Sequence, residues 1–167
     1  MKLYFLLFLV CLLIMATCSP LFIKYRPIGE NRLYNENSEF HRNSGIDISV
    51  VPKSIHYQGG DIALETYIRI QNNSLTDFSI SPDSIVAVSK CFDYINSGNR
   101  YDPNYPHGYI SILPDSIYSF KTIFYNTTFK KSFKKFQSKL SGDTLFIQIP
   151  IKEVTHNIEM KFVPIMN

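Results

Sequence analysis

Between Asp61 and Gln71 the chain alternates without a break, with Ile62, Leu64, Thr66, Ile68 and Ile70 on one side and Ala63, Glu65, Tyr67, Arg69 and Gln71 on the other. A period of two is that of an extended strand, whose successive side chains point to opposite faces. Because one side is almost wholly aliphatic and the other polar or small, one face must be buried and the other wet, which is the habit of antiparallel sheets. Such a face needs a second layer to cover it. Gly59 and Gly60 turn into this strand, and Asn72 and Asn73 end it.

Weaker versions of the same pattern recur along the chain. Ile46, Ile48 and Val50 alternate with Asp47 and Ser49 before Pro52 interrupts the run and Ser54 to Tyr57 resumes it. Proline donates no backbone hydrogen bond, so this reads as a first, edge strand. Further strands are expected at Phe78 to Ile80, Ile85 to Tyr94, Tyr109 to Leu113, Ser116 to Tyr125, Thr144 to Val154 and Ile158 to Val163, the last two facing each other across a Thr155-His156-Asn157 hairpin. Pro-Asp-Ser occurs twice, at 82–84 and 114–116, each time launching a strand, and is read as one turn chemistry used twice. A single helix is expected from about Phe129 to Leu140, where Phe129, Phe133, Phe136 and Leu140 form one apolar stripe. Thr128 suits its N-cap, and Gly142 stands where a left-handed residue is wanted. Eleven Tyr and 13 Phe without any Trp, set among short β-branched runs, favour an all-β protein.

Leu140, Asp143, Thr144 and Leu145 resemble the approach to strand F of immunoglobulin-like domains, with Ile147 and Ile149 where that family has Tyr and Cys. The expected fold is therefore an immunoglobulin-like antiparallel β-sandwich of about seven or eight strands with one short amphipathic helix.

The compartment is written at the start of the chain. Lys2 precedes an apolar run from Leu3 to Ala16 that stops at Thr17, Cys18, Ser19 and Pro20. Spanning a bilayer takes about 20 apolar residues, so the run reads as a secretory leader. Met15-Ala16-Thr17-Cys18 resembles the lipobox of bacterial lipoproteins, which usually carries Leu three places before the cysteine and Gly, Ala or Ser directly before it. The resemblance implies a diacylglycerol thioether and an acylated amine on Cys18, enough chains for stable anchoring. Ser19 stands where many inner-membrane lipoproteins of two-membrane bacteria have Asp, which favours the outer membrane. Ordinary cleavage to an unlipidated secreted product, or an uncleaved anchor, is the competing reading. The expected division is a signal peptide over 1–17, a lipid-anchored tether over 18–45 and the sandwich over 46–167. The stretch from Ser19 to Gly45 shows no sustained period, and as flexible chain it would reach on the order of 30 Å.

A formal charge of +3 on 167 residues supplies no global attraction for nucleic acid. Of the three cysteines, Cys11 lies in the leader, Cys18 at the anchor and Cys91 alone in an apolar run, where a structural thiol is a better reading than a nucleophile. His41, His56, His107 and His156 are far apart, and no metal or phosphate-binding motif is present. No cofactor or catalytic residue is assigned. Two surfaces remain. The loop from Asn96 to Gly108 carries Arg100, Tyr101, Asp102, Asn104, Tyr105 and His107, a mixture suited to binding a protein or a glycan, or else a connection whose tyrosines cover the core. Lys130, Lys131, Lys134, Lys135 and Lys139 place five cations on the helix face away from the phenylalanines, either as a solvated face or as a contact for anionic lipid. The functional expectation is a non-catalytic cell-envelope lipoprotein serving as an interaction or accessory module, with ligand binding through the Asn96 to Gly108 loop as the alternative.

Overall fold

The structure is a computed structural model of the chain and describes residues 21–28, 39–43, 45–58, 61–89, 94–96, 105–126, 133–152 and 158–165. The alternation from Asp61 becomes β4 (Asp61–Asn72), and Ile62, Leu64, Thr66, Ile68 and Ile70 are all buried. It pairs antiparallel with β3 (Ile46–Gln58) on one side and β9 (Ile117–Asn126) on the other, and β7 (Tyr94–Asn96) extends the sheet beyond β9. A second group runs from β11 (Ile158–Ile165) through β10 (Leu145–Ile149) to β6 (Val86–Ser89). The two groups are joined through β1 (Leu21–Pro27): Leu21 to Ile23 pair with Tyr57 to Ile55 of β3, and Lys24 to Pro27 pair with Ile165 to Phe162 of β11. A strand that changes sheets at its midpoint makes the corner of a sandwich. The buried faces of both groups, with Ile48, Ile55, Leu64 and Phe124 from one and Ile147, Met160 and Phe162 from the other, form one core. The fold is an all-β antiparallel sandwich.

β9 lies between β4 and β7, β10 lies between β11 and β6, and β3 lies between β4 and β1. The approach to β10 is as the sequence suggests, since Leu140, Asp143 and Leu145 are buried and the Asp143 N–H donates to the Leu140 carbonyl at 2.9 Å.

Several sequence expectations need correction. Residues 19–45 are not simply a tether, because Leu21–Pro27 is the shared strand and β2 (Glu39–Asn43) pairs with the first half of β3. The charged residues hide this: Lys24 and Arg26 alternate outward, while Ile23 and Tyr25 are buried. Nor is β3 an edge. β2 covers Ile46 to Val50 and β1 covers Ile55 to Tyr57, and Pro52 lies between these partners, at the register shift before Ser54. On that side of β3 neither strand stands opposite the proline, which has no N–H to offer, while on the other side Pro52 remains level with Thr66 of β4. The expected strand Ile85 to Tyr94 is two strands, β6 on β10 and β7 on β9, one at each sheet edge. β10 stops at Ile149, paired with Ile158, because Pro150 follows; Ile151 then bridges to Ile80. That bridge ties the second sheet to a small ribbon of β5 (Phe78–Ile80) and β8 (Ile110–Ile112).

The two Pro-Asp-Ser segments also differ. Pro82–Ser84 is a 3-10 turn, with Ser84 N–H to the Ser81 carbonyl at 3.0 Å. At 114–116 the Ser116 N–H reaches the Leu113 carbonyl at 3.2 Å, and Asp115 has φ +56° behind Pro114, the geometry of a type II turn. Aspartate tolerates the left-handed region better than most residues, so one tripeptide serves both turns.

The described part of the expected helix is α1 (Phe133–Leu140); Thr128 and Phe129 lie outside the described residues. Leu140 plugs the core and Gly142, at φ +82°, ends the helix as anticipated.

Gly45, at the β2–β3 turn, has φ +85°, and an added Cβ would stand 3.0 Å from both the amide nitrogen and the Cβ of Ser74. Its carbonyl accepts from Asn73 N–H at 2.6 Å, so the turn has no room to withdraw. Gly45→Ala is expected to cost about 2 kcal/mol or more through left-handed strain and crowding. Thermal denaturation should show a melting temperature lower by roughly 4–8 °C; an unchanged value would contradict this geometry.

Candidate functional site

The strand register fixes two poles. At one, Leu21, Tyr57, Ile62 and Asn126 stand level across four neighbouring strands. At the other, β4 ends at Asn72 and β9 begins at Ile117, so the turns that follow β4 and β8 meet there. Asn72 joins them. Its side-chain amide donates to the carbonyls of Thr76 and Ile112, each at 2.9 Å, and its oxygen accepts from the Ser74 N–H at 2.9 Å and the Ser74 hydroxyl at 2.7 Å. All four hydrogen-bonding positions of a fully buried asparagine are thereby used. The Asn72 N–H adds a 3.0 Å bond to the Ser116 carbonyl.

On this rigid base the pole exposes large apolar side chains: Leu75 at 97%, Tyr109 at 69%, Leu113 at 61% and Ile117 at 54%. These are four of the eight large hydrophobics exposed among the described residues, and nothing about the turns requires them to be apolar. No periodic signal marks them in the sequence, since each sits singly beside a turn. Lys152 lies over the Tyr109 ring at 5.5 Å, a contact that leaves most of the ring in solvent.

The expected recognition loop fares differently. Arg100, Tyr101, Asp102 and Asn104 lie outside the described residues. Tyr105 is not available as a contact, because it is only 5% exposed and belongs to the core, its ring 6.4 Å from Phe120 and edge-on to His107 at 5.2 Å. An aromatic next to a loop buries far more surface by folding inward than it keeps by waiting for a partner. His107 is exposed, and its Nδ1 lies 3.4 Å from an Asp83 carboxylate oxygen whose partner oxygen accepts the Gly108 N–H at 3.0 Å. This arrangement anchors the loop to the 3-10 turn. Asp83 is also exposed, so this contact itself contributes little.

Of the lysines, Lys130 and Lys131 lie outside the described residues, Lys134 is within α1, and Lys135 and Lys139 are exposed. Cys18 and Cys91 are outside the described residues too. Among the described residues, no three His, Cys, Asp or Glu side chains gather as a metal site would require, and no helix is long and apolar enough to cross a membrane.

No family model matches this sequence, and the comparison with curated proteins found no match. Among solved structures, a protein from Archaeoglobus fulgidus is similar with a TM-score of 0.41 at 8% identity, over 77% of this chain and 98% of its own. A similarity of that size carries no argument about what either protein does.

Replacing Tyr105 by Ala is expected to cost about 3 kcal/mol, the usual penalty for emptying an aromatic core site, whereas His107→Ala should stay within about 0.5 kcal/mol. Urea denaturation of both variants measures the difference; equal midpoints would return Tyr105 to the surface.

Proposed function

We propose that this protein is a non-catalytic lipoprotein of the cell envelope, fixed through Cys18 and favouring the outer membrane, whose sandwich acts as an interaction or accessory module. The neighbour relations of β9 and β10 support reading that sandwich as immunoglobulin-like. The observation that carries the functional reading is the far pole, where Leu75, Leu113 and Ile117 are held in solvent beside turns locked through Asn72. Exposed apolar side chains grouped on a rigid base favour protein contact, since covering them needs no reordering of the loops that bear them. Burial of Tyr105 weighs against the alternative of ligand capture through the Asn96 to Gly108 loop. The lipobox resemblance at Met15 to Cys18 supports the anchor.

Two measurements test this. Palmitate should label the wild-type protein and not Cys18→Ala; equal label in both, or none in either, removes the anchor. Leu75→Ser with Leu113→Ser should leave stability within about 1 kcal/mol, both positions being exposed, yet remove the proteins that co-purify from envelope membranes with the wild type. An unchanged set of co-purifying proteins would take the far pole out of the account.

A further inference from the structure

Anchoring at Cys18 has a geometric consequence once β1 is known to begin at Leu21. Three residues of fully extended chain span at most about 10–11 Å. The headgroup layer of one leaflet takes up roughly 5–7 Å of that, being half the difference between total and hydrocarbon thickness. Almost nothing remains for clearance. β1 cannot lengthen the leash by fraying cheaply either, because Leu21 to Ile23 pair with β3 and Ile23 is buried.

We propose that the sandwich rests directly against the phospholipid headgroups of its own leaflet through the near pole, where Leu21, Tyr57, Ile62 and Asn126 stand level. This inference rests on lipidation of Cys18 and goes beyond it, since an anchored domain on a long leash would touch lipid only in passing. Lys24, the first exposed cation along the described chain, lies three residues from Leu21 and can meet lipid phosphates from the flank of that pole. The same geometry aims the far pole outward. Nine residues of β4 separate Ala63, level with Tyr125 near the membrane, from Asn72, a distance of about 30 Å. The apolar turns are therefore held clear of the bilayer by the length of the strands and not by a flexible linker.

The chain contains no tryptophan, so single Trp probes report without background. Acylated full-length Tyr125→Trp and Leu75→Trp are reconstituted into phosphatidylethanolamine–phosphatidylglycerol vesicles carrying a nitroxide headgroup lipid, a short-range quencher. Lys24→Trp serves as a second near-pole probe should Tyr125→Trp fail to fold. The near-pole probe should lose about half its emission or more, while the Leu75 probe, about 30 Å away along β4, loses little. Equal quenching of both poles, or none at either, in protein whose N-terminal mass shows the acyl chains, overturns the proposal and leaves the anchor standing. Absence of acyl mass at Cys18 overturns both.

Discussion

The backbone of a strand carries hydrogen-bonding groups along two edges, and β1 satisfies them by turning from one sheet to the other. Its first three residues complete a ladder with β3 and its last four complete one with β11. Ile23 and Tyr25 meanwhile point into the core between the sheets. If β1 were absent, the second half of β3 and the outer side of β11 would each lose a described neighbour and the sandwich would open at its corner. Unpaired strand edges invite pairing with other chains, so closing this corner also protects against association. The segment that a reader of the sequence would set aside as linker is the one through which both sheets are held together.

The far pole depends on a different economy. A buried amide without partners costs several kcal/mol, whereas one with all four positions filled fixes the groups around it. Asn72 reaches forward to Ser74 and Thr76 and across forty residues to Ile112, so a local turn and a long-range contact are decided together. Asn73 continues the connection, donating to Asp47 at 3.0 Å and, through its backbone, to Gly45. These bonds explain why Leu75 and Leu113 can stay in solvent without the turns collapsing around them.

How far the sequence reveals this depends on whether the signal is local. The period-two runs of β4 and β9, the left-handed Gly142 and the buried Leu140 were readable because each is a property of neighbouring residues. β1 was not, since its four-residue pattern Ile23, Lys24, Tyr25, Arg26 is too short to stand out and its partners lie more than thirty residues away. The place of Pro52 inside a sheet was hidden for a related reason: a proline marks an edge only locally, and β3 has two successive neighbours with a gap between them. At the loop, Tyr105 illustrates the ambiguity of an amphipathic ring, which suits a partner or a core equally until the surroundings are known. The apolar pole has no sequence signature at all, because single leucines beside turns are common and only exposure makes them informative.

β1 is the corner strand of the sandwich, and under the proposed anchor at Cys18 it would also set how close the body lies to the membrane, so the role of β1 carries the rest. Native-state amide hydrogen exchange measures it most directly. The peptide covering residues 21–27 should exchange as slowly as those from β3 and β4, requiring opening of the whole sandwich. Exchange of that peptide at the rate of unstructured chain, with β3 and β4 still protected, would show a tether after all and would contradict both the corner and the short leash.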